Sequence, residues 1–126
     1  MKYGIERMLE DLEIEGFMNT RCQKDSTSNN HAIIPEYEIS MGRFSGRIIE
    51  LAIPCPDDYP RSIGTCIHVK SSPLLLDVSN SLKDVRNITL SKLGEDWRYW
   101  SFKLRLQEDE PTKHLMHQIN GIFRNI

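Results

Sequence analysis

Apolar positions near the N-terminus recur every three or four residues, with charged residues between them. Four of them fall on one face of a helix: Ile5, Met8, Leu9 and Leu12. This spacing predicts an amphipathic helix. We expect the helix to end near Gly16, because glycine readily takes the left-handed conformation that terminates a helix.

The C-terminal region has the same helical spacing. Pro111 suits the first position of a helix, where a backbone N–H has no partner to lose, so we predict a helix over 112–126. Its apolar stripe contains Leu115, Ile119, Ile122 and Phe123, with Met116 beside it. Neither helix can bury its stripe alone, so we expect both to cover one face of a sheet.

Between the helices, β-prone residues occur in short runs separated by turn residues, which predicts strands. The runs span 32–40, 48–53, 66–70 and 97–106, with a short extended stretch at 88–90. We expect the first run to be an edge strand, because Pro35 cannot donate a hydrogen bond to a neighbouring strand. The polar segment 19–30 is predicted to be a loop that follows a short strand at Phe17–Met18.

Alternation within two of these runs predicts which side chains face the core. In the run 48–53 the inward set is Ile49, Leu51 and Ile53. In the run 97–106, Trp100 and Phe102 share the inward face, which leaves Tyr99 on the outer face.

Helices and strands therefore form separate blocks along the chain, which is typical of an α+β fold. We predict a four- to five-stranded antiparallel meander between an N-terminal and a C-terminal helix, with a long irregular connection over 73–86. The 126 residues have the length of one domain, and no internal repeat divides them.

Composition and charge exclude several classes of function. Sixteen basic and eighteen acidic residues give a net charge of −2, so we expect no nucleic-acid partner. No apolar run approaches the roughly 20 residues of a membrane span, and the N-terminus has no signal-peptide pattern, so we expect a cytoplasmic protein. The three cysteines form no C-x-x-C pair and the four histidines are scattered, so neither a metal site nor a cofactor is expected.

Two segments carry motifs that occur together in a known family. The first, 42–60, has a Gly-rich hairpin, an alternating strand, a proline and then Tyr59-Pro60 at the turn into the next strand. The second consists of Ile88-Thr89-Leu90, then Leu93, then Trp97. In this order they resemble the ubiquitin-conjugating (E2) fold, whose active-site segment has Ile-Cys-Leu followed by a leucine and a tryptophan at the same intervals.

This resemblance covers the chain from Ile5 to Trp97 and implies a UBC/RWD-like fold, in which Trp97 fills the core below the active-site segment. It extends to cysteine-less relatives of the E2 enzymes, the E2 variants and the RWD domains, which work by binding. The short chain and the run 97–101 are most similar to divergent bacterial E2-like proteins.

The main departure from the family is Thr89, which stands where an E2 enzyme carries its thioester cysteine. The His-Pro-Asn motif that precedes that cysteine is also missing. A threonine hydroxyl is too basic to form a comparably labile intermediate without a strong adjacent base. The resemblance therefore implies a non-catalytic E2-like protein of a ubiquitin-like conjugation system.

Two alternatives remain open. Cys66, in the middle of a predicted strand, has the features of a small core residue. Cys55 lies between two prolines and is expected to be partly exposed. An active, divergent E2 would form its thioester on one of these two cysteines. An RWD-type structural adaptor inside a larger complex would need neither of them.

The resemblance also places partner contacts by position. They are Arg61, Ser62 and Ile63 just after the Tyr-Pro turn, and Arg98 and Tyr99 in the loop after Trp97. The implied partners are proteins: a ubiquitin-like protein, an activating or conjugating enzyme, or the subunits of a complex.

Overall fold

The computed structural model describes residues 2–78 and 87–126. Two helices flank a series of strands. In chain order, the elements are α1 (Gly4–Ile14), β1 (Arg21–Lys24), β2 (Asn30–Glu38), β3 (Ile48–Pro54), β4 (Cys66–Lys70), β5 (Asn87–Ser91), β6 (Gly94–Ser101) and α2 (Pro111–Arg124). The fold class is α+β, as the separate blocks of helical and alternating sequence predict.

The six strands form one antiparallel sheet with the order β1-β2-β3-β4-β6-β5. The prediction of a four- to five-stranded meander is therefore wrong in both strand number and order. β6 begins at Gly94, before the predicted start at Trp97, and so can pair with β5 across a short turn while it also pairs with β4. This arrangement leaves β5 at an edge of the sheet. The last strand ends at Ser101 rather than at Leu106.

The segment before β2 differs from its prediction. No strand forms at Phe17–Met18, and the predicted loop contains β1, whose four residues pair with the start of β2. Arg21, Cys22 and Lys24 are exposed and only Gln23 is half-buried. A strand that has no apolar alternation leaves no hydrophobic signal in the sequence.

β2 is an inner strand and not an edge strand, because β1 and β3 pair with it on either side. Pro35 is tolerated for two reasons. β1 reaches only as far as Ile33, and the pairing with β3 shifts register between Ile34 and Tyr37, so the missing N–H falls at a bulge.

Both helices cover one face of the sheet, as expected. The predicted stripe of α2 is buried throughout, and Met8 and Leu12 of α1 are fully buried beside it. The inward set of β3 was predicted correctly: Ile49, Leu51 and Ile53 all belong to this main core. Trp100 is fully buried there and Phe102 packs against it. Within the described residues, no helix has both the length and the apolar character needed to cross a membrane.

The opposite face of the sheet is concave. Ser26 in the β1–β2 turn donates a backbone hydrogen bond of 3.0 Å to the carbonyl of Lys92 in the β5–β6 turn. These turns belong to opposite edges of the sheet, so the sheet must curve to bring them together. A second, smaller core lies on this concave face. It contains Ile33, Ala52 and Trp97, with Leu93 packed against them. Trp97 is therefore buried, but on the face opposite the main core.

The irregular connection after β4 contributes Leu75 and Leu76 to the main core. The remainder of the connection predicted over 73–86 lies outside the described residues from position 79 onward.

Candidate functional site

The concave face holds a pocket of about 550 Å³, here called the concave pocket. Its walls come from the β1–β2 turn, the start of β2, the end of β3, and β4, β5 and β6. All three positions considered as nucleophiles in the sequence line it: Cys55, Cys66 and Thr89. They come from three separate parts of the chain, so the sequence alone does not place them together.

Thr89 reaches the concave pocket because of the strand register. It lies opposite Tyr99 on β6, and Tyr99 lies opposite His68 on β4. Residues directly opposite each other on neighbouring strands project from the same face of a sheet. The three side chains therefore form a row across β5, β6 and β4 along the pocket wall, in which Thr89 is half-buried.

Cys66 and His68 lie two residues apart on β4 and face the same side. The Cys66 Sγ atom is 3.6 Å from Nε2 of His68, and Nδ1 of His68 is 2.7 Å from the Ser91 hydroxyl. Contacts thus connect a nucleophile (Cys66), a base (His68) and a group that orients the base (Ser91) in series. This is the general arrangement of a nucleophilic site. The protonation states of the first two groups decide whether it has that chemistry.

Burial opposes the formation of charge on both groups. Only 7% of Cys66 and 5% of His68 is exposed. Burial raises the pKa of the Cys66 thiol to about 11, although a hydrogen bond with Tyr99 acts in the opposite direction. Burial also lowers the pKa of His68 to about 4, and the neighbouring His31 acts in the same direction. At neutral pH the pair is therefore a neutral thiol and a neutral imidazole.

Cys55 was expected to be partly exposed, and this expectation is wrong. Its side chain is only 5% exposed and belongs to the main core. Its backbone N–H donates to the carbonyl of Asn30, which fixes it against the start of β2. Burial raises the pKa of its thiol to about 12. A thiol in this state is a poor nucleophile, because the thiolate is the reactive form.

His31 is the other buried histidine on the concave pocket, with only 3% of its surface exposed. Its ring meets the ring of His68 edge to face, with 4.8 Å between the centroids. Burial lowers the pKa of His31, while its bond to the Asn29 carbonyl and the charge of Asp25 act in the opposite direction. The sequence pattern did not predict the contact between His31 and His68. For Cys66 and His68, the two-residue spacing within a predicted strand does place both side chains on one face.

The residues expected to contact a partner after the Tyr-Pro turn lie close to the N-terminus. The Arg61 guanidinium is 4.8 Å above the ring of Tyr3, and its Nη2 is 3.1 Å from the Tyr3 hydroxyl. Arg61 is exposed. The Ser62 hydroxyl donates to a carboxylate oxygen of Asp58, and Ile63 is half-buried against the main core.

Arg98 and Tyr99 lie within β6 rather than in a loop, so they project from opposite faces of the sheet. Arg98 forms an ion pair with Asp77, with 2.6 Å between Nε and Oδ1, and donates to the carbonyls of Glu95 and Trp97. Tyr99 lines the concave pocket. The structure therefore does not bring the five expected contact residues onto one surface.

Within residues 2–78 and 87–126, no group of three or more histidine, cysteine or acidic side chains is arranged to hold a metal ion. Comparison of the chain with protein-family models, with curated proteins and with solved structures gives no match.

Proposed function

We propose that this chain is a non-catalytic, E2-like protein of a ubiquitin-like conjugation system, with a UBC/RWD-like fold. It acts by binding a ubiquitin-like protein or a partner enzyme. By holding a donor or an acceptor in place, it orients the chemistry of another subunit. The motifs in 42–60 and 88–97 support this proposal, as does the order of one helix, an antiparallel sheet and a Tyr-Pro turn between β3 and β4.

One observation carries the non-catalytic part of the proposal. Thr89, the position that matches the thioester cysteine, borders the same pocket as Cys55 and Cys66, and burial holds both thiols in the neutral form. At pH 7 a thiol with a pKa of about 11 is ionised in only about one molecule in ten thousand. The pocket at the expected site of chemistry therefore contains no ready nucleophile.

The contact between Cys66 and His68 favours a second candidate, an active divergent E2 that forms its thioester on Cys66. The distance of 3.6 Å would let the imidazole take the thiol proton. Against this candidate, the buried imidazole has a pKa of only about 4, so it is a weak base at neutral pH.

We place partner binding at the surface formed by Tyr3 and Arg61, here called the Tyr3–Arg61 surface. The stacking of Arg61 on Tyr3 holds a cation in a fixed position on the surface. A fixed, exposed guanidinium suits a carboxylate on a partner, because it binds both carboxylate oxygens with little further loss of side-chain freedom.

Calorimetric titration tests this binding role. The titrants are the ubiquitin-like protein and the activating enzyme from the same genome. We expect at least one of them to bind, and Arg61→Ala to weaken binding at least tenfold. Arg43→Ala is the matched control, because Arg43 is also exposed and lies 5.0 Å above the ring of Phe44. Equal losses for both variants, or no binding by the unmodified chain, would contradict the proposal.

A further inference from the structure

The two turns that meet over the concave pocket are each attached to one buried histidine. Nδ1 of His31 lies 3.1 Å from the carbonyl of Asn29 in the β1–β2 turn. Nδ1 of His68 lies 2.7 Å from the hydroxyl of Ser91 at the start of the β5–β6 turn. The two rings touch each other directly, with 4.8 Å between their centroids. The histidine pair therefore links the same two turns that the backbone bond from Ser26 to Lys92 joins.

We propose that the contact between His31 and His68 is an acid-sensitive latch, whose protonation separates the two turns and opens the concave pocket. This inference is independent of the proposed function, because it concerns only the two turns and the pocket beneath them. The latch is closed when both imidazoles are neutral. Protonation of either ring favours the open state, because the closed state then contains a buried charge with almost no access to water.

The surroundings of the pair do not compensate for such a charge. From the β1–β2 turn, Asp25 faces the pair and favours its protonation. Its Oδ1 atom, however, already accepts hydrogen bonds from the hydroxyl of Thr27 and from the backbone N–H groups of Thr27 and Asn29. From the β5–β6 turn, the exposed Lys92 lines the same pocket and supplies no negative charge.

The other titratable groups around the pair are neutral at physiological pH. Cys55 at the end of β3, Cys66 on β4 and Tyr99 on β6 line the pocket, and burial raises the pKa of each of them. If both histidines are protonated, two like charges are also placed in contact, which adds repulsion to the cost of desolvation.

The size of the effect follows from the two environments of His68. Its pKa is about 4 in the closed pocket and returns to about 6.5 when the ring is exposed. Lowering the pH from about 7.5 to about 5 then raises the ratio of open to closed molecules about 30-fold through this ring alone.

Amide hydrogen exchange measured by nuclear magnetic resonance tests the latch, because the Ser26 N–H donates the bond that joins the two turns. We expect the protection of Ser26, corrected for the intrinsic pH dependence of exchange, to fall at least tenfold between about pH 7.5 and about pH 5. The Ile39 N–H, bonded to Arg47 in the distant β2–β3 hairpin, should keep its protection. Constant protection of Ser26, or an equal loss at both amides, would overturn the proposal.

Two variants identify the groups responsible. His68→Gln removes one of the two titrating rings, so the fall in Ser26 protection should be smaller than in the unmodified protein, and an undiminished fall would overturn the latch. His117→Gln, at an exposed position on α2, should retain the wild-type dependence. If His68→Gln does not fold, the imidazole resonances of the unmodified protein still decide the question. The fall in Ser26 protection must level off at the titration midpoint of His68 or His31, and a fall that continues below both midpoints would overturn the latch. In Asp25→Asn, Ser26 protection should still fall on acidification, but over a shifted pH range. If the fall disappears completely in this variant, the titrating group is the carboxylate and not the histidines.

Discussion

Tyr59 and Thr112 are joined by a buried hydrogen bond of 2.5 Å between their hydroxyl groups. Thr112 donates its own hydrogen to Asp11 on α1, at 2.7 Å, so Tyr59 must be the donor in this bond. Arg7 in turn donates to the same carboxylate oxygen of Asp11. The Tyr-Pro turn, α1 and α2 are thereby connected through one chain of polar groups beside the main core.

Removing the Tyr59 hydroxyl should destabilise the fold. Tyr59→Phe leaves Thr112 without its buried donor, so we expect the free energy of unfolding to fall by about 1–2 kcal/mol. Thr112→Val should cost more, because it leaves the buried Tyr59 hydroxyl without an acceptor and also removes one of the two hydrogen bonds to Asp11. Urea denaturation measures both changes. Tyr3→Phe is the control, since Tyr3 is exposed, and an equal effect of Tyr3→Phe and Tyr59→Phe would contradict the expectation.

Gly42 should tolerate no side chain. Its φ angle is +95°, and a Cβ atom there would come within van der Waals overlap of the Phe123 carbonyl oxygen at the end of α2. Gly46 has a similar φ of +90° but open space around it. We therefore expect Gly46→Ala to cost about 1 kcal/mol from backbone strain alone, and Gly42→Ala to cost at least about 2 kcal/mol more.

Thermal or urea unfolding of these two glycine variants separates the two causes. Because the backbone angles are nearly matched, the difference between them reports the clash with α2. Equal destabilisation by the two substitutions would mean that the end of α2 moves away from the β2–β3 turn at little cost.

The three cysteines should differ in their reactivity toward iodoacetamide. Cys22 is exposed, whereas Cys55 and Cys66 are buried and have thiol pKa values raised to about 12 and about 11. At about pH 7.5 we expect Cys22 to be modified at least about 100-fold faster than the other two. Mass spectrometry of the intact protein and its peptides follows each site. In urea all three should react at similar rates, and rapid native modification of Cys66 would favour the thiol-enzyme alternative.

The sequence predicted the parts of the fold that bury apolar stripes. Both helices, the inward set of β3 and the whole of β4 are as predicted, because their hydrophobic periodicity decides which face is buried. The prediction that β2 is an edge strand was wrong because it rested on Pro35 alone. Proline is found at bulges as well as on edge strands, and β2 has a bulge at this position. β1 has no apolar face to reveal it.

The candidate site depends on contacts that local patterns do not encode. One pocket is lined by Thr89, Cys55 and Cys66, because six strands pair in a particular order and the sheet then curves. The bond from Ser26 to Lys92 joins residues far apart in the chain, and no periodicity predicts such a closure. The pair of His31 and His68 follows from the same curvature, so the histidines look scattered in the sequence but touch in the fold.

A charging assay tests most directly whether this is an E2-like protein whose chemistry has been lost at Thr89. The assay incubates each protein with the cognate activating enzyme, ATP and its ubiquitin-like protein, and a non-reducing gel then shows any thiol-sensitive adduct. The proteins compared are the unmodified chain and the variants Thr89→Cys, Cys55→Ala and Cys66→Ala. We predict no adduct on the unmodified chain and an adduct on Thr89→Cys, with an established conjugating enzyme as the positive control. An adduct on the unmodified chain that disappears in Cys66→Ala or Cys55→Ala would contradict the non-catalytic role. The absence of an adduct on Thr89→Cys, while the positive control is charged, would contradict the E2-like assignment itself.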